Sequence, residues 1–443
     1  MIYKTWLNDW LENYIKPTSK TRTYERYSDI INNHIVNELG FYELNDLTPF
    51  ILQQHISKLL SKGNQKTNRG LSTNTVNTII SVIQNSLKTA YILGYTNDYS
   101  ANKIVRPKII ENLFIAKGQN IQKGDYGYLF CHMSELGEYT AFAVSRDGFN
   151  YEDIIGGRAI MDVNEHARIE GGQRDAYITR SYDGKGFVMV NTDMCVAKTG
   201  NWTNHGIDLL KSDDLIHWTS VTFDFRKGVS IFMDPESPSV YKDFSTINRV
   251  WAPQIFWDPN YEWGNGDKGG YFVYYSMANW NEEGYDRMYY SYADKSFTKL
   301  TQPKLLLDWG YATIDADINL LEDGLYHMLI KKEGGKPGIF TTTSKYLTHG
   351  WGEPVDDDYV SFEGNKLCEG SSAFQLIGEK TWIVAYIQYS DNPKHYRLCK
   401  ADENLRNFHD PVDIKGVTGP QHGSFMRLTE EEYKNLKKWS DNQ

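Results

Sequence analysis

Cysteine is scarce in this chain. Four residues in 443 (Cys131, Cys195, Cys368 and Cys399) show no CxxC pair and no metal-like spacing. That argues against a disulfide or zinc framework and leaves buried free thiols in a reducing compartment as the expectation. Long apolar runs are missing as well: no stretch of about 18 apolar residues is present to span a bilayer. The amino terminus, MIYKTWLNDWLENYIK, has neither an extended apolar core nor a small-residue cleavage site. It therefore does not read as a signal peptide, and the expected location is the cytoplasm. Glycine is missing from one region in particular, with only 4 of the 36 glycines in the first 110 residues. That region holds 13 basic and 8 acidic residues, against 34 basic and 49 acidic in the remainder. The acidic part would repel nucleic acid, while the mildly basic part is suited to an anionic surface. Length and this split together predict two domains.

What is present in residues 1–110 is a helical period. Thr5 precedes Trp6, Leu7, Trp10, Leu11 and Ile15 on one face. A second helix is expected from about Thr23 to Leu39, stopped by Gly40 as a C-cap. Thr48 and Pro49 read as N-cap and first helical residue of a third helix, which ends near Gly63. Ser72 is expected to cap a fourth that runs through Val76, Ile79, Ile80, Ile83, Leu87 and Ala90 to Gly94. On TYERYSDIINNHIVNELG, LNDLTPFILQQHISKLL and LSTNTVNTIISVIQNSLKTAYILGY, the stretch resembles the SAM-like core-binding domain of phage-type tyrosine recombinases. That resemblance implies a bundle that grips DNA beside a separate catalytic domain. The Arg, HxxR-type motif and nucleophilic Tyr of such a domain do not follow, so recombinase activity is not expected. Lys20, Arg22, Arg26, Lys62, Lys66 and Arg69 are the candidate phosphate contacts for weak DNA binding. The alternative is an ordinary solvated surface on a domain acquired by fusion. Residues 111–125 read as a linker.

From residue 126 onward the texture is short β-like runs punctuated by Gly, Asp and Asn. One polar residue precedes an apolar run in each of five segments: Asp175, Gln254, Asp315, Glu369 and His422, spaced 79, 61, 54 and 53 residues apart. Asp175, Asp315 and Glu369 are expected at the same point of three similar units. A turn signal is expected to close each unit: SRDGFNY, SDDLIHW, ADKSF, TSKYL and ADENLRNF. Five copies predict an all-β five-bladed propeller over residues 126–443. The orphan turn at 145–151 lacks an inner strand, so one blade is expected to join residues 422–428 to 127–151, closing the ring and protecting its edges.

RDAYITR, VWAPQIFW, TIDADINLLEDGLYHM, CEGSSAF and QHGSF, in that order, resemble glycoside hydrolase family 43. The resemblance implies hydrolysis with inversion, Asp175 acting as general base, Glu369 as general acid and Asp315 as the group that tunes the acid. A water would then be activated on one face of the sugar while a proton is delivered on the other, with the two carboxyls about 6.5–9.5 Å apart. A Glu beside a second carboxylate and shielded from water would hold a proton near neutrality. Asp317, Asp323 and Asp183 read as turn or cap residues. Ala176, and Ser371 after Gly370, stand where the family commonly has Pro. Gln254, Trp251, Trp280, Trp309 and Tyr389 are candidate sugar contacts, with His422 organising water or a structural calcium ion in the central channel. No cofactor is expected to be required, and no protein ligand set for a metal is assigned. The substrate class implied is arabinose- or xylose-containing oligosaccharide. A non-catalytic carbohydrate-binding propeller and a DNA-tethered protein are the competing readings.

Overall fold

A computed structural model describes residues 1–63, 71, 73–106, 125–355 and 366–443. Lys66, Arg69, Ser72 and residues 111–124 of the expected linker lie outside the described residues. The chain divides into two compact units, Met1–Glu111 and Asn112–Gln443.

The first unit is helical. Helix α1 (Tyr3–Trp10) continues into a π-helical turn, Leu11–Ile15. Helix α2 (Thr21–Ile30) passes through a second such turn, Ile31–Ile35, into α3 (Val36–Leu39). Helices α4 (Pro49–Lys62) and α5 (Thr73–Ile92) complete the unit. Helix α1 starts at Tyr3, ahead of Thr5, because Tyr3 is itself core: it is fully buried and its hydroxyl meets Ser86 Oγ at 2.8 Å. Trp6 Nε1 donates to the Ser86 carbonyl at 3.0 Å, so α1 is pinned on α5 by polar as well as apolar contacts. Thr48 caps α4 as its sequence predicts, accepting from Ile51 N. Gly40 does follow α3, but with φ −64° it is right-handed. The left-handed stop expected of glycine occurs at Gly94, with φ +77°.

The second unit is a five-bladed propeller. Its strands in chain order are β1 (Asp125–Ser134), β2 (Tyr139–Ser145) and β3 (Tyr151–Asp153); β4 (Gln173–Arg180), β5 (Phe187–Asp193), β6 (Gly206–Ser212) and β7 (Thr219–Asp224). Then come β8 (Arg249–Glu262), β9 (Lys268–Ala278), β10 (Arg287–Ala293) and β11 (Lys304–Leu307); β12 (Thr313–Leu320), β13 (Tyr326–Lys332) and β14 (Gly338–Ser344). The last are β15 (Cys368–Gln375), β16 (Trp382–Gln388), β17 (His395–Ala401), β18 (His409–Asp413) and β19 (Pro420–Thr429). Four antiparallel sheets start at β4, β8, β12 and β15, and the fifth runs β19-β1-β2-β3. Strand β19 therefore closes the ring on β1, with Phe425 opposite Phe130. The inner strands follow one another around the axis: β4 against β8, then β12, β15, β19 and back to β4. Closure is locked by a buried ion pair, Arg427 to Asp125 at 3.0 Å, and by Arg180 gripping Glu432 of the last helix (Glu430–Asp441) with two bonds of 2.6 Å.

The five turn signals sit elsewhere than the end of each blade. They follow the third strand, and in four blades a further strand comes after them. Their chemistry explains the recurrence: Asp147, Asp214 and Asp402 each accept backbone N–H groups of their own turn. The backbone then passes through a left-handed residue, Gly148, Leu215 or Leu405. All four cysteines are buried and free. No helix among the described residues is long and apolar enough to cross a membrane.

Candidate active site

Each inner strand of the four continuous blades carries a β-bulge. The register against its neighbour shifts between Arg174 and Tyr177, Trp251 and Gln254, Ile314 and Asp317, and Glu369 and Ser372. The second residue of each bulge is left-handed: Asp175 at φ +54°, Ala252 at +46°, Asp315 at +55° and Gly370 at +66°. Such a conformation costs a non-glycine residue on the order of 1–3 kcal/mol, and aspartate tolerates it better than most. The bulge re-aims side chains that a regular pleat would send to alternate faces.

These bulges correct the expected alignment. Asp175 and Asp315 are equivalent, sharing their position with Ala252 and Gly370. Glu369 stands one residue earlier, at the position of Arg174, Trp251 and Ile314. Gln254 stands two later than Ala252, at the position of Asp317. It is 2% exposed, and its Oε1 accepts from Tyr274, whose hydroxyl also receives the Ile318 N–H. Gln254 thus braces two blades through Tyr274 and is not among the residues that line the pocket shared by Asp175, Asp315 and Glu369. Asp317 is likewise no turn residue: fully buried, it accepts from Ala373 N at 2.9 Å and Asn319 Nδ2 at 2.7 Å.

Asp175, Asp315, Glu369, Trp251, Tyr389 and His422 line one pocket of about 390 Å³. Trp280 and Trp309 do not. Trp309 packs into a blade core with its Nε1 on the Trp351 carbonyl. Trp280 is half exposed, and the Arg249 guanidinium lies between the two rings, 4.8 Å from that of Trp280 and 4.1 Å from that of Trp251. The pocket also holds Arg174, Trp202, Glu333 and Lys394, which carry no mark in the sequence, and the buried Lys331 bonds Glu369 from behind the lining. A lysine inside the apolar run HMLIKK was the available signal for Lys331.

Asp175 and His422 are paired, Oδ1 to Nδ1 at 3.1 Å, while Thr192 donates its hydroxyl to Oδ2 at 2.7 Å. The same Thr192 oxygen receives the Ala252 N–H, which fixes its proton toward Asp175. Burial alone would push Asp175 upward. The His422 hydrogen bond and charge, the Arg174 charge and the Thr192 bond outweigh it and hold the carboxyl at about 2. Burial pulls His422 down, but Asp315 and Asp175 lift it to about 9, so it is an imidazolium at neutrality. Asp315 goes the other way. Burial, with the charges of Glu369 and Asp175, raises it to about 6 against the pull of His422 and Lys331. Its Oδ2 accepts the Gly370 N–H at 3.0 Å, tying it to the backbone beside Glu369. Glu369 Oε2 accepts from Lys331 Nζ at 2.7 Å, and the Glu369 side chain is 34% exposed, so water is less excluded there than the sequence suggests. Gly370 cannot be replaced cheaply: a Cβ would meet the His422 ring at 3.1 Å in a left-handed backbone. Among the described residues no group of three or more His, Cys, Asp and Glu side chains could hold a metal ion.

Residues 124–434 match the family described as a probable glycosyl hydrolase domain. The chain belongs to that family. Its propeller is therefore a glycoside hydrolase unit, and residues 2–60 match the N-terminal SAM-like domain of phage integrases. The chain is 22% identical over 229 residues to an α-L-arabinofuranosidase of Bifidobacterium longum subsp. longum, covering 47% of this chain and 19% of that protein. It thus spans about a fifth of the length of that curated relative. Among solved structures, a thermostable family-43 glycoside hydrolase is 16% identical with a TM-score of 0.40, covering 58% of this chain and 81% of the other. An α-L-arabinofuranosidase from Lactobacillus brevis is 13% identical with a TM-score of 0.41, covering 61% and 84%. In the helical unit, Lys20, Arg22, Arg26 and Lys62 are all exposed, the arginines one turn apart on α2.

Proposed function

We propose that this glycoside hydrolase is an inverting, exo-acting enzyme releasing arabinose- or xylose-type sugars from oligosaccharides, with α-L-arabinofuranosides preferred over β-xylosides. The observation that carries the reading is the meeting of Asp175, Asp315 and Glu369, from three different blades, on one pocket of about 390 Å³. The arabinofuranosidase relative supports the sugar class.

In this mechanism Asp175 takes a proton from water. Its carboxylate stays ionised through neutrality because His422 and Thr192 satisfy it, and those same contacts fix its orientation. Glu369 protonates the departing glycosidic oxygen from the opposite side of the bond. Asp315, held near Glu369 through the Gly370 N–H, tunes that acid by its charge. Trp251 and Tyr389 offer ring faces to the sugar.

A panel of aryl glycosides tests the reading. p-Nitrophenol release from the α-L-arabinofuranoside or β-xyloside is expected, and it should vanish in Asp175→Asn. Arabino-oligosaccharides should yield monosaccharide alone. Unchanged rates in Asp175→Asn, or activity on neither glycoside, would sink the assignment.

A further inference from the structure

Lys331 is a buried charged group bonded to three pocket residues, and the two-carboxylate mechanism leaves it without a task. It lies on β13, opposite Ile314 of β12, and its side chain is 3% exposed. Its ammonium meets Glu369 Oε2 at 2.7 Å, Glu333 Oε1 at 2.8 Å and the Tyr389 hydroxyl at 3.1 Å. The Tyr389 ring also lies 4.7 Å from the nitrogen. An ammonium has three hydrogens, and three acceptors take them. Burying such a charge is costly unless every partner is in place, so the nitrogen is fixed from several sides.

The consequence falls on Glu369. With Oε2 clamped, Oε1 has no hydrogen-bond partner among the described residues and is the oxygen left for substrate. We propose that Lys331 is a positioning residue for Glu369, clamping Oε2 so that Oε1 delivers the proton to the glycosidic oxygen. The step balances simply: the proton passes from Oε1 to the departing oxygen as its bond to the anomeric carbon breaks. The negative charge left on Glu369 then develops beside an ammonium already in position, with no reorganisation required. Glu333 is the counter-ion that keeps Lys331 in place throughout. This inference rests on reading Glu369 as the acid, and the test separates the two.

Rates would be compared on methyl α-L-arabinofuranoside, whose leaving group needs a proton, and on the 2,4-dinitrophenyl glycoside, whose leaving group does not. Lys331→Met should lose roughly 100-fold or more in kcat on the methyl glycoside and less than about fivefold on the dinitrophenyl one. Lys331→Arg should recover part of the loss, on the methyl glycoside only. Should Lys331→Met fail to fold, Tyr389→Phe removes one of the three acceptors and is expected to give a smaller loss with the same selectivity. Equal losses on both glycosides, or no loss on either, would overturn the clamp. Glu369→Gln supplies the separate control. If that variant loses both substrates equally, the acid assignment itself fails; if it is selective and Lys331→Met is not, only the clamp fails.

Discussion

The two sides of the pocket are built on opposite electrostatic plans. On one side, Asp175 is fully satisfied: His422 and Thr192 occupy its two oxygens, and the pair is locked in the ionised state from about pH 2 to about 9. On the other side, Asp315 is lifted into the range where protons exchange, and Glu369 keeps one oxygen open while Lys331 holds the other. A single scaffold position, the left-handed bulge residue, supplies both Asp175 and Asp315. What separates them is the neighbours: Asp175 has a cation in contact, whereas Asp315 has a backbone N–H and two other carboxylates nearby. The repeat provides the placement, and the side chains brought in from adjacent blades provide the difference.

The largest effects are expected at the acids themselves. Asp175→Asn should reduce kcat by about 10³–10⁴-fold on every substrate, because activation of water does not depend on the leaving group. Steady-state rates on two glycosides of different leaving-group pKa would check it, and a selective loss would blur the distinction between the two sides. Next in size is the pH dependence of stability. His422 rises from 6.5 to about 9 on folding, so its contribution is complete below pH 6.5 and disappears as pH climbs through about 9. That amounts to about 3 kcal/mol, visible as a fall in the unfolding midpoint of the propeller between pH 7 and 10. His422→Gln should be less stable at pH 6 and show a flatter profile over that range. Asp175 acts at the acid end: its contribution, present above 3.8, is lost as pH falls through about 2.

Gly370→Ala comes third. It should cost about 1–3 kcal/mol from the left-handed backbone and push the His422 ring, giving reduced kcat together with a lower melting temperature. Gln254→Leu should destabilise by about 1–3 kcal/mol, since the Tyr274 hydroxyl loses its acceptor, while leaving KM unchanged. A changed KM would return Gln254 to the substrate. The smallest effect is expected from removing the helical unit. A fragment starting near residue 120 should keep its activity, because the two units have separate cores.

Much of the architecture was legible in sequence because propeller blades repeat a polar residue before an apolar run, and because the unpaired turn at 145–151 demanded a strand from the far end. The bulges were not legible. A bulge adds a residue to one strand of a pair without changing the spacing of apolar runs, so Glu369 read as equivalent to Asp175 when it lies one position earlier. The same bulge sets Gln254 and Asp317 two residues past the left-handed position, where Asp317 accepts from Ala373 of the next blade and Gln254 accepts from Tyr274 of its own. Lys331 is not legible in the sequence because two of its three partners come from elsewhere, Glu369 lying 38 and Tyr389 58 residues along the chain. A lysine in a strand normally reads as a solvated edge residue. The turn motifs were recognised but misplaced, since a Ser-Asp turn carries no mark of whether a fourth strand follows.

At the centre of the mechanism is the division between a base that activates water and an acid that protonates the leaving group. Proton NMR of the first sugar released from an α-L-arabinofuranoside, read before mutarotation, tests that division. The expected product is the β-anomer, formed by one displacement by water. Initial release of the α-anomer, through a covalent intermediate, would contradict it.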